Sequence, residues 1–99
     1  MAAFVHDFEW DPLKADANFA KHGVSFDRAA EVFLDPLGLS ILDEEHSVGE
    51  VRWITLGKDA RGQYILVVHT YNQPDETMAR VRIISARRPS RIEIHEYEE

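Results

Sequence analysis

Hydrophobic positions near the start of the chain recur at helical spacing between a capping residue and a glycine. Asp11 can cap a helix whose first residue is proline, and Gly23 can end it, so the pattern predicts a helix over 12–22. The positions expected to face the core are Leu13, Ala15, Ala17, Phe19 and Ala20. The polar side chains expected on the opposite face are Lys14, Asn18 and Lys21.

A second helix is predicted over 26–34, capped by Ser25 and ended by the "DPLG" turn. Its inward positions are expected to be Phe26, Ala29, Ala30 and Phe33. Two helices hinged at a glycine outline a DNA-reading helix-turn-helix. Residues 9–35, however, contain six acidic and three basic side chains, a poor composition for contacting phosphates. The pair is therefore interpreted as scaffold.

From residue 39 onward the hydrophobic period changes to two, which indicates strands. The predicted strands are 39–43, 50–57, 63–72 and 78–87, with a short edge strand at 8–10. Short polar turns favour an antiparallel meander, and the tail after 87 is predicted to be helical, with Pro89 in its first turn. The order β-α-α-β-β-β-β-α predicts an α+β fold with helices packed on one face of a twisted antiparallel sheet.

Composition indicates one domain over residues 1–99. The chain has no cysteine, which excludes a disulfide framework, a zinc ribbon and a thiol nucleophile. It contains no apolar run of membrane-spanning length, and its first ten residues lack the pattern of a signal peptide. A cytoplasmic protein is expected.

Charge is distributed unevenly along the chain. The net charge is −7, which argues against general nucleic-acid binding. Residues 1–50 carry eleven acidic and three basic side chains, whereas residues 51–99 carry seven acidic and eight basic ones. Five arginines follow one another without an acid between them: Arg80, Arg82, Arg87, Arg88 and Arg91. They form a local positive patch on an acidic protein.

Alternation along the last strand places Arg80 and Arg82 on one face. Two guanidinium groups about 7 Å apart match the spacing of neighbouring phosphates on an extended single strand. The alternative is a solvated face with cross-strand ion pairs.

A second cluster lies in "EEHSVGEVR", where Glu50 and Arg52 point to the same side of the predicted strand and His46 lies just before it. A carboxylate or imidazole beside arginines can take a proton from a hydroxyl next to a phosphate. The arginines would stabilise the extra negative charge of the transition state. An ordinary surface pair of Glu50 and Arg52 is the alternative.

The remaining polar residues are less specific. Lys14 and Lys21 can contact phosphate or form a solvated helix face, and Tyr97 can donate a hydrogen bond to phosphate or pack. His69 alternates with Ile65 and is interpreted as a half-buried strand residue. No metal site is expected, because the histidines and acids lack ligand spacing, and no cofactor fingerprint is present.

The motifs D-P-x-K-A, K-H-G-V-x-F, H-S-x-G-E-x-R and R-x-I-S-A-R-R occur here in one order. In combination they resemble the BrnT family of bacterial type II toxins over residues 8–98. The resemblance implies a RelE-like fold, metal-independent ribonuclease activity and inhibition of translation. It also implies a small antitoxin partner, a BrnA-like ribbon-helix-helix protein, through which operator DNA is bound.

In the resulting hypothesis, RNA lies across the sheet face that carries Arg52, Arg80 and Arg82. Glu50 or His46 takes the 2′-hydroxyl proton, and the arginines hold the transition-state charge. The RNA-binding residues at the rim would be Lys14, Lys21, Arg87, Arg88 and Tyr97. The alternative is a non-catalytic interaction module that binds an antitoxin-like partner in an operator-binding repressor complex.

Overall fold

The chain folds around one five-stranded sheet with the strand order β1-β5-β4-β3-β2. The computed structural model describes residues 4–99. The strands are β1 (Val5–Glu9), β2 (Leu39–Leu42), β3 (Trp53–Lys58), β4 (Tyr64–Asp75) and β5 (Met78–Arg87). The helices are α1 (Pro12–His22), α2 (Phe26–Glu31), a 3₁₀ turn (Val32–Leu34) and α3 (Arg91–Glu98). Within residues 4–99, no helix is long and apolar enough to cross a membrane.

The predicted α+β class and element order are confirmed, and β2 to β5 form the expected antiparallel meander. The sheet as a whole is mixed, because β1 pairs in parallel with β5 and places Glu9 opposite Arg82. The prediction of a fully antiparallel sheet was wrong on this point. The residue pattern of a short edge strand does not show whether the strand runs parallel or antiparallel to its neighbour. The neighbour of β1 is β5, the last strand in the chain, so no turn between them fixes the direction.

Both ends of α1 form as the sequence predicts. The Asp11 carboxylate accepts a hydrogen bond from the Leu13 backbone N–H at 2.9 Å, and Gly23 adopts a φ of 70°. The inward face was predicted wrongly. Leu13 is 78% exposed, whereas Asn18, expected on the solvent face, is only 8% exposed.

Burial of Asn18 is tolerated because both polar atoms of its amide are hydrogen-bonded. Its Nδ2 donates to the carbonyl oxygens of Val24 at 3.1 Å and of Ala86 at 2.9 Å. Its Oδ1 accepts from the Ala86 backbone N–H at 3.1 Å. These bonds join α1 to β5 and offset the cost of burying a polar group.

The core lies between α2 and one face of the sheet, which is called the helix face below. Phe26 and Ala29 are buried as predicted, but Val32 of the 3₁₀ turn is the third buried position, while Ala30 and Phe33 are only partly buried. The sheet side of this core is formed by Ile65, Val67, Val81, Ile83 and Ala86.

Several predicted boundaries were wrong: β1 is Val5–Glu9 rather than 8–10, α2 ends at Glu31 rather than 34, and β4 extends to Asp75 rather than 72. Two further differences affect the candidate site and α3. The strand expected over 50–57 begins at Trp53, so Glu50 and Arg52 belong to the loop formed by residues 43–52. The last helix begins at Arg91 with Ser90 as its N-cap, so Pro89 precedes the cap and does not lie in the first turn. Ser90 and Glu93 form a capping box that determines this start.

Candidate active site

The face of the sheet opposite the helix face carries Arg80 and Arg82 and is called the arginine face below. Val81 and Ile83 point into the core, so the alternation of β5 turns the two arginines to the other side. Strand register places polar neighbours beside them on this face. Asp7 and Asn72 flank Arg80, and Glu9 and Thr70 flank Arg82.

Glu50 lies between two arginines at the edge of this face. Arg82 Nη2 donates to both carboxylate oxygens of Glu50 at 2.6 Å, and Arg52 Nη2 approaches Oε1 at 3.4 Å. The hydrogen bond from Arg82 holds the pKa of Glu50 below its usual range. The buried Nε of Arg52 has no hydrogen-bond partner among the described residues. The predicted residues Glu50, Arg52 and Arg82 are therefore brought together around the Glu50 carboxylate.

The 43–52 loop is closed at its base by backbone and hydroxyl contacts. The Asp43 backbone N–H donates to the Arg52 carbonyl at 2.9 Å. Ser47 Oγ donates to the Asp43 carbonyl at 2.5 Å and accepts from the Arg52 N–H at 3.0 Å. The Arg52 N–H therefore donates to a side-chain hydroxyl and not to the backbone of a neighbouring strand. This explains why β3 begins at Trp53 and not at Arg52.

His46 projects from the same loop and is oriented by a buried carboxylate. Its Nδ1 lies 3.0 Å and 3.1 Å from the two oxygens of Asp43. A carboxylate only accepts, so Nδ1 carries the proton in the neutral ring and Nε2 holds the free lone pair. The side chain of His46 is 62% exposed.

The other predicted RNA contacts differ in their surroundings. Arg87 donates to both oxygens of Glu93 at 2.9 Å, which binds β5 to the start of α3. The Tyr97 hydroxyl donates to Asp35 at 2.7 Å, and burial is the main cause that raises its pKa to about 12. Lys14 and Lys21 are exposed on α1, and Arg88 is exposed after β5.

Sequence reasoning missed a buried polar chain on the helix face. His69 is 2% exposed, more buried than predicted, and its Nε2 lies 2.7 Å from the Thr55 hydroxyl, which in turn contacts Ser40 at 2.7 Å. The available signal was the alternation of Ser40, Thr55 and His69 with apolar strand residues. Among residues 4–99, no group of three or more histidine and acidic side chains is placed to hold a metal ion.

The fold and the site define a class: a small α+β domain in which two arginines hold a loop carboxylate beside the sheet, and the same loop carries a histidine oriented by a second carboxylate. The profile of the family described as "Ribonuclease toxin, BrnT, of type II toxin-antitoxin system" matches residues 10–93. The chain belongs to this family. It is a ribonuclease toxin of a type II toxin–antitoxin system, an RNA-cleaving enzyme that has a cognate antitoxin.

A solved structure supports the fold independently. The crystal structure of the Brucella abortus ribonuclease toxin, BrnT, superposes with a TM-score of 0.59 at 24% sequence identity. The similarity covers 88% of this chain and 100% of that chain. No curated protein shows significant sequence similarity to this chain.

Proposed function

We propose that RNA binds across the arginine face and is cleaved at the position that the Glu50 carboxylate now occupies. The observation that carries the proposal is the contact of both Glu50 oxygens with Arg82, with Arg52 Nη2 3.4 Å from one of them. A carboxylate bound in this way marks a site suited to a phosphate, which presents oxygens to guanidinium groups in a similar geometry. Arg80 lies two residues before Arg82 on the same face of β5 and would bind the neighbouring phosphate.

The chemistry proposed is attack of the RNA 2′-hydroxyl on the adjacent phosphorus. A bond forms between O2′ and phosphorus while the bond to the leaving O5′ breaks, which gives a 2′,3′-cyclic phosphate and a 5′-hydroxyl. A base takes the 2′-hydroxyl proton, and the leaving oxygen gains a proton. Arg82 and Arg52 stabilise the negative charge that increases on the phosphoryl oxygens. Because arginine supplies this stabilisation, we expect cleavage to continue in the presence of EDTA.

Of the two candidate bases, the surroundings favour His46. Its side chain is exposed, and the contact of Nδ1 with Asp43 leaves Nε2 as the ring nitrogen that can take a proton from a substrate. Glu50 is a weaker base in this arrangement, because Arg82 lowers its pKa. In the protein without RNA, the Glu50 carboxylate would instead occupy the place of the phosphate at Arg82, and it would move away from Arg82 when the substrate binds.

The decisive experiment compares cleavage of a single-stranded RNA by the purified wild type, Arg82→Gln and Arg61→Gln. Arg61 is an exposed arginine in the β3–β4 turn and serves as the matched control. We expect Arg82→Gln to lose roughly 10²–10³-fold in cleavage rate and Arg61→Gln to retain it. Equal activity of the two variants would move catalysis off the arginine face. If wild type itself does not cleave and Arg82→Gln loses antitoxin binding, the non-catalytic alternative is the better description.

Two further variants separate the candidate bases. Glu50→Gln should bind RNA more tightly, because it removes a negative charge that competes for Arg82, and should still cleave. His46→Gln should lose about 10²–10⁴-fold in cleavage rate with binding retained. Loss of cleavage in Glu50→Gln with activity retained in His46→Gln would assign the proton transfer to Glu50.

The rim of the RNA path is proposed to include Lys14, Lys21 and Arg88. Their exposure supports this role, and α1 packs directly against β5, the strand that carries the arginines. Arg87 and Tyr97 receive less support as RNA contacts, because Glu93 and Asp35 already bind their polar groups. Neutralising Lys14 and Lys21 together should weaken RNA binding without changing the cleavage position.

The antitoxin is proposed to be a BrnA-like ribbon-helix-helix protein that supplies all contacts to operator DNA. The acidity of the segment over 9–35 supports this division, since its six acids would repel the phosphates that a recognition helix approaches. We further propose that RNA cleavage in the cytoplasm inhibits translation. In a gel-shift assay, operator DNA should be retarded by the toxin–antitoxin complex and not by this chain alone.

A further inference from the structure

A cleft that the proposed mechanism does not use opens on the helix face. On this face α2 packs against β5 and part of β4, and beside the 3₁₀ turn a cleft of about 410 Å³ is lined by residues of β1, β2, β3 and β4. Aromatic rings contribute much of its lining, namely Phe33, Trp53 and Tyr71. Its polar lining includes Ser40, Thr55 and His69. A mostly apolar cleft with a few convergent polar groups has the general character of a ligand site.

The hydroxyls of Ser40 and Thr55 and the ring of His69 form a hydrogen-bond chain in which every proton is donated in the same direction, towards the Thr70 carbonyl. His69 Nδ1 lies 3.0 Å from the Thr70 carbonyl oxygen, which only accepts, so Nδ1 carries a proton. Burial lowers the pKa of His69 and keeps the ring neutral, which leaves Nε2 as an acceptor. The Thr55 hydroxyl must then donate to Nε2 across the 2.7 Å contact.

The same reasoning determines what Ser40 offers to the cleft. Thr55 has one hydroxyl proton and gives it to His69, so in the 2.7 Å contact between the two hydroxyls Ser40 is the donor. The proton of Ser40 therefore points inward along the chain, and only oxygen lone pairs remain for a ligand. Ser40 lies on an exposed part of β2, so these lone pairs are accessible.

We propose that this cleft binds a nucleobase, stacked on the ring of Trp53 and donating an N–H from its edge to Ser40 Oγ. Aromatic side chains that stack on bases combined with a fixed polar group are how proteins recognise unpaired nucleotides. Bases with an exocyclic amino group should be preferred over uracil, whose single N–H lies between two carbonyl oxygens that would face the Ser40 lone pairs. This inference rests on the proposed function for one source of the base, the RNA substrate, whose strand would pass from the arginine face around the β2 edge of the sheet to reach the cleft. A free nucleoside is the other source.

The first test is a titration of the full chain with adenosine, cytidine, guanosine and uridine, followed by tryptophan emission. A Trp10→Phe background leaves Trp53 as the only reporter, and Phe preserves the aromatic contact of position 10 with Phe26. We expect saturable changes with the three amino-bearing nucleosides. Adenosine should bind better than purine riboside, which lacks only the amino group.

Two Ser40 variants test the role of the hydroxyl. Ser40→Ala should weaken binding of the amino-bearing nucleosides about fivefold, the effect of losing one net hydrogen bond, and Ser40→Thr should retain it. Thermal unfolding of both variants checks the fold, which the exposed position of Ser40 should leave intact. No response of Trp53 up to the solubility limit, or an equal response in Ser40→Ala, overturns the proposal. A response of Trp53 to the antitoxin alone also overturns it and assigns the cleft to protein binding.

Experiments can separate the two sources of the base, the RNA substrate and a free nucleoside. They can also separate base binding in the cleft from RNA cleavage on the arginine face. If the base comes from the RNA substrate, Ser40→Ala will change which nucleotides flank the cleavage position; if the ligand is a free nucleoside, the cleavage pattern will not change. Arg82→Gln should lose RNA cleavage and keep nucleoside binding. Nucleoside binding that depends on Ser40 in a chain without ribonuclease activity would support the cleft and refute the proposed function.

Discussion

Asn18 shows that a single polar side chain can connect two layers of this fold. Its amide closes three hydrogen bonds, to Val24 and to both backbone groups of Ala86. Asn18→Ala leaves these buried groups unpaired, and we predict a loss of about 3 kcal/mol in the free energy of unfolding. Urea denaturation of this variant beside Lys14→Ala, an exposed control on the same helix, measures the effect. The control should change stability by less than about 0.5 kcal/mol; equal losses would show that Asn18 has no special role.

The role of Asn18 could not be predicted from the helix pattern. Periodicity groups it with Lys14 and Lys21, and it reports only which residues share a face, not which face is buried. The partner that makes burial favourable is Ala86, 68 positions away in the sequence. The same error leaves Leu13, expected in the core, on the surface of α1.

Among the elements, the 43–52 loop depends on one hydroxyl. Ser47 joins the Asp43 carbonyl to the Arg52 N–H and so sets the relative positions of His46 and Arg52. Ser47→Ala should reduce RNA cleavage by about 10–100-fold with a much smaller effect on the melting temperature, because misplacing the reacting groups costs more than losing the two partly buried hydrogen bonds of one hydroxyl. Thr77→Ala removes a comparable hydroxyl in the β4–β5 turn and should leave cleavage unchanged. A fall in melting temperature in proportion to activity would contradict this positioning role.

The docking of α3 depends on a charge pair with a clear pH signature. Arg87 and the Ser90 cap lower the pKa of Glu93 to about 2 in the folded protein, from an ordinary value of 4.5. A carboxyl whose pKa is lower when folded stabilises the protein above pH 4.5 and loses that contribution as the pH falls towards 2. Glu93→Gln should therefore cost about 1 kcal/mol at pH 7, with the difference from wild type shrinking at pH 3.

Chemical denaturation at both pH values measures this prediction. Glu96→Gln on the same helix is the control, since Glu96 is exposed and forms no side-chain hydrogen bond within residues 4–99. A gap between wild type and Glu93→Gln that stays constant with pH would rule out the ion pair as the cause.

At the scale of the whole molecule, local patterns predicted more of the fold than of the site. The order of elements follows from caps, turns and periodicity, which depend on neighbouring residues. The parallel pairing of β1 with β5 and the contact of Glu50 with Arg82 across 32 positions depend on how the chain returns to itself. The chain of Ser40, Thr55 and His69 also joins three strands, so no single segment displays it.

The charge distribution of the whole molecule limits how RNA can bind. The net charge is −7, and Asp7, Glu9 and Glu50 lie beside the arginines, so the protein should attract RNA only where a phosphate can meet the guanidinium groups of the arginine face directly. The phosphate at Arg82 and Arg52 and the neighbouring phosphate at Arg80 predict that the logarithm of affinity falls with the logarithm of salt concentration with a slope of about −1.4, and each rim contact should add about −0.7. A 2′-O-methyl RNA, which lacks the attacking hydroxyl, allows this slope to be measured by fluorescence anisotropy without cleavage.

The same measurement on two variants tests whether the contacts are localised. Arg80→Gln should make the slope shallower by about 0.7, the contribution of one phosphate contact. Arg61→Gln changes the net charge equally but lies in the β3–β4 turn, so its slope should equal that of wild type. If both variants change the slope by the same amount, binding follows total charge, and the arginine face is not the RNA path. A slope change confined to Arg80→Gln means that an acidic protein binds its polyanionic substrate through one local surface.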